Sequence, residues 1–152
     1  MGSFPTGITV ITAEREGGQV HGMTANSLTS VSLEPLLILV CVDQNARLLS
    51  YLKAQRRFGV NILKNTQQAI SELFTKPEPD ADEERRLGVR FRRTGTGIPL
   101  LEEALAHIGC NVEAQYMSGD HTIFVGEVES LELKEGEPLV YHRGKYRELA
   151  AG

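Results

Sequence analysis

Four short polar segments carry the residue types that could hold an anionic aromatic ligand. The first runs Gly22-Met23-Thr24-Ala25-Asn26-Ser27 and on to Thr29-Ser30-Val31-Ser32. It sets six small polar side chains (Thr24, Asn26, Ser27, Thr29, Ser30 and Ser32) between two hydrophobic stretches. A polar group buried there without a partner costs about 1–3 kcal/mol. A ligand with carbonyl, ring-nitrogen and phosphate groups would supply partners. The plainer alternative is a loop satisfied by its own backbone and by water. The second segment is Ser118-Gly119-Asp120-His121. Gly119-Asp120 is a turn by itself, and a lone histidine opening a strand is most often a surface residue. As a functional group, His121 would donate to a pyrophosphate or an amide, or change protonation near neutral pH.

The third segment, Tyr141-His142-Arg143-Gly144-Lys145-Tyr146-Arg147, offers aromatic and cationic contacts, or is simply an exposed terminal hairpin. The fourth, Phe4-Pro5-Thr6-Gly7, fixes a bend ahead of a strand. Other chemistries find no support. The chain has no GxGxxG fingerprint, no P-loop and no GxSxG. His107, Asp43 and Ser50 have no defensible triad spacing. Cys41 and Cys110 form no CxxC and sit inside apolar runs, so they read as buried free thiols of a reducing compartment. Asp80, Asp82, Glu83 and Glu84 read as a solvated face.

Strands must position these segments. Ile8 to Ala13 and Val20 to Thr24 read as a hairpin broken at Glu16-Gly17-Gly18. Leu36 to Val42 is a continuous apolar run that predicts a central strand buried on both faces. Asn45 is expected to cap a helix over Ala46 to Lys53, with Leu48, Leu49 and Leu52 on one side. Phe58 to Leu63 is a further strand. Thr66 is expected to cap a short helix carrying Ile70, Leu73 and Phe74. Lys76 to Arg86, with Pro77 and Pro79, reads as an exposed loop leading into a short helix. Ile108 to Tyr116 alternates as a long strand and returns through Thr122 to Leu133. Gly126 inside that return predicts a bulge or a close backbone approach. Pro138 to Tyr141 and Tyr146 to Leu149 close the chain.

Bulk properties fit one soluble domain over residues 1–152, with 41% hydrophobic and 24% charged residues. The net charge of −4 disfavours nucleic acid as a partner. No signal peptide opens the sequence and no apolar stretch reaches about 18 residues, so neither export nor a membrane is expected and a cytoplasmic location follows. Many strands with short inserted helices predict a mainly β fold, a closed antiparallel barrel and not a doubly wound parallel sheet.

The four segments together, with Phe58-Gly59-Val60-Asn61-Ile62-Leu63 and Ser30-Val31-Ser32-Leu33-Glu34-Pro35, resemble the flavin reductase-like family with the FMN-binding split barrel. Its members include reductase components of two-component flavin monooxygenases. The matching pieces follow the family's order over nearly the whole chain. The resemblance implies an antiparallel split β-barrel, a homodimer, and FMN or FAD in a groove near the subunit interface. It implies that Met23, Thr24, Ala25, Asn26 and Ser27 line the isoalloxazine, with Ser30 and Ser32 towards the ribityl and phosphate end. Asp43 and Arg47 would help to hold the phosphate, Thr6 and Gly7 would sit near the ring, and Tyr146 near the flavin or nicotinamide face. Gly119, Asp120 and His121 match the motif associated with the nicotinamide of NADH or NADPH.

Two departures from the family pattern stand out. Members usually have a short basic helix before the Phe-Pro-Thr-Gly segment, so a fuller start is expected. Many carry Ser or Thr near the position of Ala46, where Arg47 would substitute as phosphate donor. The implied activity is NAD(P)H-dependent reduction of flavin, metal-free, with no protein nucleophile and with a flavin-dependent monooxygenase as a possible recipient. Backbone N–H groups near Asn26 would stabilise negative charge on the reduced ring. The alternatives are a flavin-binding sensor or electron carrier without reductase activity, and an oxidase of the pyridoxamine-phosphate type.

Overall fold

The computed structural model describes residues 1–150 and Gly152. Short strand β1 (Thr6–Gly7) precedes β2 (Thr9–Glu14) and β3 (Val20–Ala25). Then come β4 (Thr29–Leu33), β5 (Leu36–Asp43), helix α1 (Arg47–Gln55) and β6 (Arg57–Ile62). A 3-10 turn at Asn65–Gln67 leads into α2 (Gln68–Leu73), and α3 spans Ala81–Arg86. A small hairpin, β7 (Phe91–Arg93) and β8 (Pro99–Leu101), precedes the long strands β9 (Ala106–Ser118) and β10 (His121–Leu133). The chain ends on β11 (Val140–His142) and β12 (Lys145–Arg147).

Seven strands form one antiparallel sheet in the order β3-β2-β6-β9-β10-β5-β4. Its two edge strands, β3 and β4, are consecutive in the chain and joined only through Asn26–Leu28. Four residue steps reach at most about 14 Å. The sheet therefore has to curl until its edges approach each other. No ladder joins β3 to β4 among the described residues, so the curled sheet stays open along this seam and is not a closed barrel.

Inside the curl lie Ile11, Ala13, Val40, Val42, Phe58, Cys110 and Phe124, and α1 plugs the end with Leu48, Leu49 and Leu52. A second apolar cluster sits outside the sheet. Ile8 and Val10 pack there with Leu63, Leu73, Phe74, Leu101 and Leu139. Alternate residues of β2 thus serve two cores, and Thr9 to Ala13 are all buried. Thr12 and Asn61 face the outer side and pin the β7–β8 hairpin. The Thr12 hydroxyl donates to Pro99 O at 2.5 Å, and the Asn61 amide donates to Val10 O and accepts from Leu101 N, both at 2.8 Å.

Several expectations need correction. The strand at Leu36–Asp43 is not buried on both faces: Ile38, Val40 and Val42 are buried, while the alternate residues are partly exposed. It lies next to the edge strand, and only its inward face meets a core; β2 is the doubly buried strand. Cys41 shares the outward face and is only half-buried. Asn45 does not cap α1. Ala46 holds that position without a side-chain bond, while the Asp43 carboxylate accepts from the Asn45 N–H at 2.7 Å. Thr66 lies inside the 3-10 turn, where the Gln67 side chain accepts from Lys64 N at 2.8 Å and takes the capping role. The polar stretch at Thr29–Leu33 forms an edge strand, and the hairpin of β7 and β8 carries no clear sequence signal. The last strand ends at Arg147, short of Leu149.

Candidate functional site at the open seam

The β9–β10 hairpin brings the second polar segment to the first. Ser118 pairs with His121 across a two-residue loop, and Gly119 adopts the positive φ of 63° that such a loop requires. On the other side of β10, His121 stands opposite Asp43 at the end of β5. Gln44 N donates to Asp120 O at 2.8 Å, and the Gln44 amide donates to the Thr122 hydroxyl at 2.9 Å. The Asp43–Arg47 segment and the Gly119–His121 turn are therefore one hydrogen-bonded unit.

Within the turn, His121 Nδ1 and the Asp120 carboxylate are 2.7 Å apart. This hydrogen bond, reinforced by the imidazolium charge, holds the Asp120 carboxyl below its ordinary range. The carboxylate holds the ring through Nδ1, and the His121 side chain is 42% exposed.

A half-open groove of about 260 Å³ runs from β3 to this unit. Met23, Ala46, Phe74 and Pro77 give it largely apolar walls, with Asp43 and Arg47 at one end. His21 also lines it and is buried against Tyr51, ring centres 5.3 Å apart. Burial pushes the His21 imidazole below its ordinary value, against the attraction of Glu78. The start of α1 has no side-chain cap and no acidic residue in its first turn. Its free N–H groups and positive dipole end favour an anion. Arg47 opens this helix and pairs with Glu78, which reaches across from the loop after α2.

The third and fourth segments meet at the other end of β3. Thr6 and Gly7 pair with Tyr141 and Val140. Tyr141 and Tyr146 stack edge to face at 5.4 Å. The Tyr146 hydroxyl bonds the buried Ser71 hydroxyl at 2.9 Å, and Thr24 donates to Ser71 O at 2.6 Å. A chain Tyr146–Ser71–Thr24 thus ties the terminal hairpin to β3 through α2. Behind Tyr146 lies a larger cavity of about 340 Å³, lined by Asn65, Gln68 and Arg147 among others. It contacts none of the Met23–Ser27 residues, so the smaller groove is the better candidate.

The hydroxyl groups that suggested a ligand are mostly satisfied by protein. Ser27 donates to Cys41 O at 3.1 Å and accepts from Cys41 N at 3.0 Å, stitching the seam. Thr24 is taken by Ser71, and the Ala25 carbonyl accepts from Thr9 at 2.7 Å. Asn26 is exposed. Ser30 and Ser32 lie on β4 opposite Ile38 and Leu37, several residues along the sheet from Asp43, and do not line the groove. The one buried hydroxyl of the expected set without a partner is that of Thr6. His21, Phe74, Pro77 and Glu78 were not foreseen. His21 could have been noticed from its alternation with Met23 in β3.

The largely apolar lining of the groove suits a flat aromatic ring. Apolar side chains of Met23, Ala46, Phe74 and Pro77 line it, and the Arg47 guanidinium and the uncapped start of α1 stand at its Asp43–Arg47 end. The Thr6 hydroxyl is buried and does not line the groove.

The family model for the flavin reductase like domain matches residues 1–150. The chain belongs to the flavin reductase-like family. An NADH-dependent flavin reductase of a Rhodococcus species is 41% identical over 151 residues, which are 98% of this chain and 82% of that protein. Among solved structures, the styrene monooxygenase flavin reductase of Pseudomonas putida S12 superposes with a TM-score of 0.89. It is 34% identical and covers 99% of this chain and 95% of its own. The NADH:FAD oxidoreductase SgcE6 of Streptomyces globisporus C-1027, solved with NAD and FAD fragments, gives a TM-score of 0.87 at 36% identity, over 98% of this chain and 88% of that one.

Proposed function

We propose that this chain is an NAD(P)H-dependent flavin reductase that takes FMN or FAD in the groove of the open seam. The observation that carries the reading is the hydrogen-bonded union of the Asp43–Arg47 segment with the Gly119–His121 turn beside an apolar, half-open groove. One chain segment suited to a phosphate and one suited to a nicotinamide converge there. The bound flavin supplies the hydride-accepting chemistry. The protein binds and orients. Met23 and Ala46 cover one ring face, and Thr6 and Gly7 lie towards its edge. Asn26 and Ser27, outside both neighbouring ladders, offer backbone N–H groups to the pyrimidine side, where they stabilise negative charge. Arg47 with the start of α1 receives the phosphate, while Ser30 and Ser32 lie outside the groove. Tyr146 closes the far side. Asp120 orients His121 towards the nicotinamide amide. The reaction requires no protein nucleophile.

The curled sheet is the family's split barrel, and the working unit is a cytoplasmic homodimer. Leu33 and Leu36 at the β4–β5 turn, and Leu131 and Leu133 on the strand that runs past it, are exposed apolar side chains suited to a second copy. Its product, reduced flavin, serves a partner monooxygenase. Among the described residues no helix is long and apolar enough to cross a membrane. The test is nicotinamide oxidation by the purified chain, with NADH and NADPH each combined with FMN and FAD. Turnover dependent on both flavin and protein is expected. Flavin binding without any nicotinamide oxidation would instead indicate a sensor or electron carrier.

A further inference from the structure

Arg47, at the anion end of the groove, already pairs with a carboxylate. Glu78 pairs through one oxygen with Arg47, and its other oxygen lies 3.9 Å from Arg15. The two guanidinium groups come from separate elements, Arg15 just after β2 and Arg47 at the start of α1. A carboxylate seated between them marks a place built for negative charge. Pro77 and Pro79 flank Glu78, so the backbone that presents it has restricted freedom. Lys76 is held to Glu83 at 2.5 Å, which fixes the base of the same loop on α3. The carboxylate can leave by rotation of its own side chain while the loop stays in place.

We propose that Glu78 is a built-in competitor of the flavin phosphate for Arg47, which lowers the affinity for phosphorylated flavins. The proposal rests on the reading of Arg47 as a phosphate donor. Arg47 and Glu78 are both about half exposed, with side-chain exposures of 54% and 48%. A pair so exposed is weak, and a phosphate accepting two parallel N–H bonds from a guanidinium is a stronger partner. The flavin therefore displaces Glu78, and the cost of breaking the pair falls on binding. An enzyme that hands its reduced flavin to another protein needs such a limit on affinity. When phosphate leaves, Glu78 returns to Arg47.

The test compares FMN with riboflavin, which has the same ring and ribityl chain but no phosphate. Dissociation constants are measured by flavin-fluorescence titration for the unmodified chain, Glu78→Gln, Arg47→Gln and the double variant. Glu78→Gln is expected to tighten FMN by about two- to fivefold, the size of one exposed ion pair, and to leave riboflavin unchanged. Arg47→Gln is expected to weaken FMN selectively, and in its background Glu78→Gln should have no further effect. If Arg47→Gln weakens FMN but Glu78→Gln does not tighten it, the competition is refuted while the phosphate reading survives. Equal tightening of FMN and riboflavin by Glu78→Gln would assign Glu78 to loop opening and also refute it. An Arg47→Gln chain that binds FMN as before overturns both.

Discussion

Asp43 and His121 stand opposite each other in the ladder between β5 and β10, although they lie in distant parts of the chain. The pairing puts the end of the strand that leads into α1 beside the turn that presents His121. His121 is partly exposed and bears on no core, so its removal should leave the fold intact. His121→Ala is expected to raise the KM for NADH about tenfold, equivalent to ~1.4 kcal/mol of binding. The dissociation constant for flavin should move less than about twofold on the same scale. Steady-state kinetics at saturating flavin, with a separate flavin titration, measures both. A loss confined to flavin binding would place His121 on the wrong ligand.

Ser71 is fully buried, and its hydroxyl meets the Tyr146 hydroxyl at 2.9 Å. Tyr146→Phe deletes that bond and should cost about 0.5–1.5 kcal/mol in urea unfolding. Because Ser71 O also receives Thr24, the variant should loosen the β3 end of the groove as well. An unchanged unfolding midpoint would show that the terminal hairpin is not anchored through this contact.

Gly126 lies at a register shift of the β9–β10 ladder, and a Cβ there would stand 2.6 Å from the Phe58 ring and 2.9 Å from Cys110 Cβ. Phe58 is wholly buried and has no room to retreat. Gly126→Ala should destabilise the chain by about 1–3 kcal/mol, the usual cost of overpacking. Chemical denaturation would read this directly, and a neutral result would contradict the packing described.

His21 and His107 are both buried, and burial pushes both below the ordinary 6.5. The unfolded chain therefore takes up protons first as pH falls through about 6.5, and the folded chain resists. The stability that the two groups contribute is complete above this value. It is lost progressively as pH falls towards their depressed folded values. Unfolding free energy should drop between pH 7.5 and 5.5, values chosen roughly to bracket that step. His21→Gln should flatten part of the slope. A flat profile in the unmodified chain would show that the two imidazoles titrate alike in both states.

Burial raises the Cys110 thiol to about 12. Since the thiolate is the nucleophile, native protein near pH 8 should leave Cys110 unmodified by iodoacetamide until unfolding. Peptide mapping by mass spectrometry checks this, and rapid native labelling at Cys110 would contradict its place in the core.

Much of this was legible in residue order. Alternation marked the long strands, Gly119-Asp120 marked their turn, and Gly126 announced its close approach. Burial was harder to read. An apolar run such as Leu36 to Val42 does not reveal how many faces meet a core, because that depends on which strands become neighbours. The doubly buried β2 carries Thr9 and Thr12, whose hydroxyls are satisfied by distant carbonyls of Ala25 and Pro99. The same nonlocality hid the partners of Thr24 and Ser27, so their hydroxyls looked freer than they are. Glu78 gave no local signal either. Its meaning comes only from Arg15 and Arg47, which the fold brings to it.

The central claim is that one groove holds a flavin while the neighbouring turn delivers a nicotinamide to its open face. The most direct measurement mixes the chain, saturated with FMN or FAD, against NADH without oxygen and follows the visible flavin absorbance. Rapid bleaching that saturates with NADH and slows in His121→Ala is the predicted result. Flavin that stays oxidised on the folded, flavin-loaded chain, with NADH and NADPH alike, would contradict the account.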